Sequence, residues 1–186
     1  MSTELLTGSL KNMNEYRVGA RDERIWGWYE VIGTGRELQD EFCEKHIGIH
    51  PFQALSLQRH QGRREIWTVL SGTLTVIVNG ELYTLEKNQS INIPKSAPHC
   101  MINASNEQVT VYEKQIGVCR EDDNDRLRDM NGRATLPIDT SDTLALKSAQ
   151  LYERVVSDLP EKAEQWKALI PKASNDPCTA VKSNAS

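Results

Sequence analysis

The chain has 186 residues, long enough for one domain with a real core plus an appendage and too short for two full domains. Its 22 Lys and Arg stand against 26 Asp and Glu, a formal net charge of −4 with no basic block, which argues against a nucleic-acid partner and for a small-molecule one. No apolar run approaches the ~20 residues needed to cross a bilayer, and the N-terminus has neither the cationic start nor the apolar centre of a secretory signal, so no membrane partner and a cytoplasmic location are expected. Cys43, Cys100, Cys119 and Cys178 follow no paired metal spacing and are too sparse for a disulfide framework, so they read as reduced thiols.

Residues 1–23 are polar and aperiodic, a lead-in able to add an edge strand. From Arg24 the strand signals become dense. Residues 26–32, 44–49 and 54–60 form short runs rich in strand formers, and residues 74–78 and 81–85 flank Asn79-Gly80, a two-residue hairpin signal in which both positions need positive φ. Residues 90–93 and 108–116 supply further strands. Many short strands with few helical signals between them imply an all-β sandwich or barrel over residues 24–133. After Arg133 the character changes. Residues 134–186 form a helical extension and a frayed tail, with Leu144, Leu151, Val155 and Leu159 near helical spacing and Leu159-Pro160-Glu161 opening a second short helix.

The chemistry is concentrated in Gln58-Arg59-His60, Glu65 and His99. On an extended strand Gln58 and His60 share a face and can reach one ion. A turn through Gln61, Gly62, Arg63 and Arg64 would fold the Glu65 carboxylate back toward it, and His99 would complete the set from a later strand. Cys100, next to His99, should point to the opposite face and pack. Two imidazoles, a carboxylate and an amide oxygen suit a borderline divalent metal ion, Zn²⁺ above all, with Fe²⁺, Mn²⁺ and Ni²⁺ also fitting the donor set.

These residues resemble the two motifs of the cupins. Gln58-x-His60, Glu65 and Gly72 fall in the register of the first motif, with Phe52 in its leading glycine place and Gln58 in place of its first histidine. Pro94, His99 and Asn103 fall in the register of the second, with Asn88 and Ser96 where it has glycines. The resemblance implies a double-stranded β-helix, or jelly roll, with a short α-helical C-terminal extension, and the metal ligands Gln58, His60, Glu65 and His99. It also suggests a homodimer, since such barrels commonly bury sheet surface between subunits.

The flanking segments, among them Arg24-Ile25-Trp26-Gly27-Trp28-Tyr29, Arg63-Arg64-Glu65-Ile66-Trp67 and Glu121-Asp122-Asp123, are similar to the C-terminal isomerase domain of type II mannose-6-phosphate isomerases. What that resemblance implies is a metal-dependent isomerase interconverting mannose 6-phosphate and fructose 6-phosphate, with a sugar phosphate as partner. In such an enzyme Glu113 would be the candidate base and Arg63 a cationic catalytic group, while Arg126, Arg133 and Gln115 would bind substrate. This sequence departs from the family at Ile25, Gln61, Gly62, Ile66 and Asn131. Two other classes stay open: a metal-dependent cupin oxygenase or lyase acting on a small polar acid, and a non-catalytic sugar-binding module.

Overall fold

The computed structural model describes residues 16–169. The lead-in before Tyr16 and the tail from residue 170, with Cys178, lie outside the described residues. In chain order the elements are β1 (Arg21–Arg24), β2 (Gly27–Glu37), β3 (Asp40–Ile49), β4 (Gln53–Ala54), β5 (Leu57–Arg59), β6 (Arg63–Ser71), β7 (Leu74–Val78), β8 (Glu81–Leu85), β9 (Ser90–Ile93), β10 (His99–Asn103), β11 (Val109–Gly117), β12 (Asp125–Arg128), α1 (Thr143–Val156) and α2 (Leu159–Leu169). The strands form two sheets, ordered β1-β2-β3-β11-β6-β9 and β12-β5-β10-β7-β8, with β4 paired to β10. Every pairing is antiparallel. β1 continues the first sheet beyond β2 and lies at its edge.

Alternation along each strand sends one set of side chains into the space between the sheets. Trp26, Ile47, Ile49, Trp67, Val69, Val76, Ile93, Met101 and Val111 meet there as the main core. The second sheet is buried on its outer face as well. Leu57, Ile77, Cys100, Ile102 and Leu127 point away from the barrel interior and pack against Ala145, Ala149, Tyr152 and Val156 of α1 and Leu159 at the start of α2. Burial on both faces explains why Leu74-Thr75-Val76-Ile77-Val78 is apolar almost throughout rather than cleanly alternating. The Tyr152 hydroxyl accepts from the Met130 N–H and donates to the Leu55 carbonyl, so the helical extension is hydrogen-bonded into the barrel. Among the described residues no helix is long and apolar enough to cross a membrane.

The turns keep the motif geometry even where glycine is missing. Phe52, Asn88 and Ser96 have φ of 55°, 69° and 62°, in the left-handed region that glycine enters without a steric penalty. Asn79 and Gly80 are also both positive, as the hairpin signal requires. The turn after His60 is tighter than expected. Arg63 already belongs to β6, where alternation turns it inward, while Arg64 stays exposed.

Candidate metal centre and adjoining cavity

Strand pairing assembles the site from sequence-distant parts. His99 opens β10 and pairs with Gln58 of β5 in one sheet, while Glu65 sits across from Ile93 and Gln115 in the other. The result brings ligand atoms of His60, Glu65 and His99 within 4.8 Å of one another, all three residues being buried. His60 Nε2 lies 3.3 Å from Glu65 Oε1 and His99 Nε2 lies 3.8 Å from Glu65 Oε2.

The outer nitrogens set the tautomers. His60 Nδ1 faces the Asp123 carbonyl at 2.6 Å, and His99 Nδ1 faces the Ala97 carbonyl at 2.8 Å. A carbonyl only accepts, so each Nδ1 carries the hydrogen and each Nε2 turns a lone pair toward Glu65. Burial pushes the His60 imidazole down to about 3 and depresses His99 as well, so both are neutral at ordinary pH. Burial alone would raise the Glu65 carboxyl, but the positive charge around it outweighs that and holds it well below the usual carboxylate range. With both imidazoles neutral, the permanent cation responsible is Arg63, aided by the Trp67 Nε1–H, which donates to Glu65 Oε2 at 3.0 Å.

Three acceptors converging without a proton of their own fit a divalent cation. His99 Nε2 is buried and has no hydrogen-bond partner among the described residues. The acceptor separations of 3.3 and 3.8 Å resemble the ~3.4 Å edge of a tetrahedron built on ~2.1 Å bonds. Each imidazole is oriented by a backbone carbonyl, the arrangement that metal-binding histidines commonly show. Arg63 is the competing cation. Its Nε donates to Glu65 Oε1 at 2.9 Å and its Nη2 to His60 Nε2 at 3.0 Å, while Nη1 reaches the Arg120 carbonyl at 3.0 Å.

Gln58 stands beside this group in a different attitude from that expected of a ligand. Its Nε2 faces His60 Nε2 at 3.4 Å, and its Oε1 accepts from the Ser56 hydroxyl and from Asn124 Nδ2, each at 3.0 Å. Ligation through the amide oxygen therefore requires the amide to turn over and give up both of those bonds.

Beside the triad lies a cavity of about 130 Å³, lined by Gln58, Arg63, Glu113, Gln115, Asn124 and Arg126 among others. Glu113 and Gln115 share the inward face of β11, as alternation requires. Burial and the Glu65 charge push the Glu113 carboxyl up to about 8 against the opposing pull of Lys45 and Arg63. Arg133 also borders the cavity but is tied to the buried Asp129 carboxylate at 2.6 Å. Arg126 donates to the Ala134 carbonyl, has a buried Nε without a partner, and makes no ion pair among the described residues.

Sequence reasoning missed Tyr16, Tyr29, Lys45 and Asn124 as cavity residues. Lys45 is only 5% exposed, with Nζ 3.7 Å from the centre of the Tyr16 ring and 3.9 Å from Glu113 Oε2. The register of β3 does carry a signal for it. Cys43, Ile47 and Ile49 alternate inward on that strand, and a lysine in the same register is a charge placed deliberately inside. Tyr16 and Asn124 belong to no regular element and carry no such signal.

Comparison with known proteins places this geometry in context. Residues 11–129 match the family model described as "Mannose-6-phosphate isomerase C-terminal". The chain is 36% identical over 121 residues to a mannose-1-phosphate guanylyltransferase of Escherichia coli, a match covering 64% of this chain and 24% of that protein. It is 37% identical over 117 residues to the alginate biosynthesis protein AlgA of Pseudomonas putida, covering 62% and 23%. Among solved structures, a Cupin 2 conserved barrel domain protein from Salinispora arenicola aligns at 16% identity and a TM-score of 0.38, covering 47% of this chain and 72% of that one. The chain thus spans about a quarter of the length of these curated relatives. Their names overturn the expected isomerase activity. They are guanylyltransferases and alginate biosynthesis proteins rather than isomerases, and the part they share with this chain is a minor one. The role of Glu113 as the base of an isomerisation falls with that expectation.

Proposed function

Because the chain belongs to the mannose-6-phosphate isomerase C-terminal family, we propose that it is a metal-binding cupin that holds a phosphorylated sugar in the cavity beside His60, Glu65 and His99. The observation that supports this reading most is the convergence of two Nε2 lone pairs and one carboxylate at a buried point, with His99 Nε2 left without a partner among the described residues, next to a polar cavity rimmed by arginines. A divalent ion held there supplies a Lewis acid to an oxygen atom of the ligand.

The chain's own residues divide the remaining work. Arg126 is the first candidate for the phosphate, since its guanidinium lacks a carboxylate partner among the described residues, and guanidinium matches phosphate oxygens in pairs. Arg133 adds positive field but is already committed to Asp129. Glu113 holds a proton near neutral pH and can donate to or accept from a hydroxyl. Names of relatives support a sugar phosphate as the ligand class, since mannose 1-phosphate appears in several of them.

One observation favours a second reading. Arg63 already answers two of the three converging acceptors, so a metal-free site in which the guanidinium balances Glu65 is self-consistent apart from His99 Nε2. Elemental analysis of protein purified without added metal, followed by titration calorimetry with mannose 6-phosphate before and after chelation, separates the two. About one equivalent of a first-row divalent ion and ligand binding that weakens on chelation are expected. Metal-free protein that binds the sugar phosphate equally well with or without added Zn²⁺ would establish the second reading instead.

A further inference from the structure

Strand β3 lies between β2 and β11, and Cys43, Lys45, Ile47 and Ile49 turn inward along it. In that register Lys45 stands across from Val31 on one side and from Glu113 on the other. Long charged side chains ordinarily carry their heads out to water, and a lysine turned into a barrel from a strand paired on both sides does not. Lys45 lines the cavity instead. Although the residue is only 5% exposed, its Nζ is not among the unpartnered polar atoms sealed behind the wall, so the ammonium itself keeps surface on the cavity.

The ammonium is held in place without being satisfied. Nζ lies 3.7 Å from the centre of the Tyr16 ring and 4.9 Å from that of Tyr29, so two ring faces aim it. Its one ion-pair contact among the described residues is Glu113 Oε2 at 3.9 Å, beyond hydrogen-bond reach. Three N–H donors are therefore left for a further acceptor. The neighbouring guanidinium groups differ in this respect, since Arg63 is spent on Glu65, His60 and the Arg120 carbonyl, and Arg133 on Asp129. Arg126 alone resembles Lys45, lining the same cavity with no ion pair among the described residues. An anion inside a cavity of about 130 Å³ stays within Coulomb reach of both.

We propose that Lys45 is an anion-binding residue of the cavity, its ammonium donating to an anionic oxygen of the ligand while Arg126 acts on the same group. The inference rests on the reading of the cavity as a sugar-phosphate site, and names a second cation for the phosphate. A charge-assisted hydrogen bond from an ammonium held away from bulk water is stronger than one made at the surface. In a purely structural role Lys45 would balance Glu113, and its loss would change stability without changing the affinity for a phosphorylated ligand.

The test combines titration calorimetry on the Zn²⁺-loaded full chain, with mannose 6-phosphate as probe, and an NMR measurement on wild type labelled with ¹³C at lysine Cε. Lys45→Met, which keeps the length of the side chain and removes its charge, is expected to bind mannose 6-phosphate about tenfold or more weakly. In wild type the Lys45 Cε resonance, set apart from other lysines by the Tyr16 and Tyr29 rings, is expected to shift on addition of mannose 6-phosphate and to stay in place on addition of mannose. Circular dichroism checks that the variant is folded, and if it is not, the wild-type resonance decides alone. A folded variant with a smaller loss of affinity, or a Lys45 signal that mannose 6-phosphate leaves unmoved or that mannose moves equally, overturns the assignment while leaving sugar-phosphate binding intact. Failure of wild type to bind mannose 6-phosphate at all overturns the underlying reading, and the assignment with it.

Discussion

Arg63 and Glu65 stand two residues apart on β6, both turned inward and both buried, with Arg63 Nε donating to Glu65 Oε1 at 2.9 Å. Because this guanidinium is the permanent cation next to a buried carboxylate, removing it leaves a charge without compensation. Arg63→Met is expected to lower the stability of chelator-treated protein by about 3–5 kcal/mol. Zn²⁺ should restore much of that loss by taking over the neutralisation of Glu65. Denaturant unfolding with and without metal checks both parts, and a loss that Zn²⁺ leaves untouched would count against a metal at this point.

The ligand set makes a separate forecast. His60→Ala, Glu65→Ala and His99→Ala should each weaken metal binding by more than the roughly 10–100-fold typical of losing an outer partner of a ligand. Gln58→Ala should weaken it less, since the Gln58 amide oxygen is committed to Ser56 and Asn124. Competition titration against a chromophoric chelator measures all four. Similar losses for Gln58→Ala and His60→Ala would show that the amide turns over to coordinate.

Asp142 caps α1, its Oδ1 accepting from the Ala145 N–H at 3.0 Å while Oδ2 pairs with Arg59 Nη1 at 2.6 Å. The backbone N–H of Ala145 is the chief reason its carboxyl is held below its ordinary value, with Arg59 assisting. A carboxyl depressed in the folded state contributes stability above its unfolded pKa and loses it as pH falls through the folded one. Asp142→Ala should therefore cost about 1 kcal/mol at neutral pH, with the difference from wild type shrinking below about pH 4. Thermal unfolding across pH 3–7 measures it, and a cost independent of pH would assign the effect to packing.

Ser96 holds φ of 62° while its N–H donates to the His60 carbonyl at 2.7 Å. Glycine keeps that backbone bond and removes the steric cost of a left-handed side-chain-bearing residue, about 1–2 kcal/mol. It also loses the exposed hydroxyl bond to Gln61. Ser96→Gly is expected to stabilise the protein by about 1 kcal/mol net with metal affinity unchanged. Destabilisation would show that the turn is held by the Gln61 contact rather than tolerated in spite of the serine.

Residues that alternation or turn chemistry controls are legible in the amino-acid sequence itself. Asn79-Gly80 demands a tight hairpin, Cys100 is bound to face away from its neighbour His99, and Glu113 and Gln115 have to share a face, because a strand offers only two sides. The spacing of His60, Glu65 and His99 carries the convergence through its likeness to the cupin motifs. Other features depend on partners far along the chain. Arg63 reads as part of a polar turn until β6 begins there and turns it inward. Lys45 escapes notice although its register on β3 points inside, and Tyr16 and Asn124 reach the cavity from irregular segments that follow no period. The orientation of Gln58 depends on Ser56 and Asn124, and the setting of the Lys45 ammonium on Tyr16, Tyr29 and Glu113, none of them on its own strand. Local sequence determined which way each strand residue points, since that is a matter of backbone geometry. Which hydrogen-bonding groups remain unanswered was decided by the tertiary structure alone, since satisfaction is a property of the whole neighbourhood.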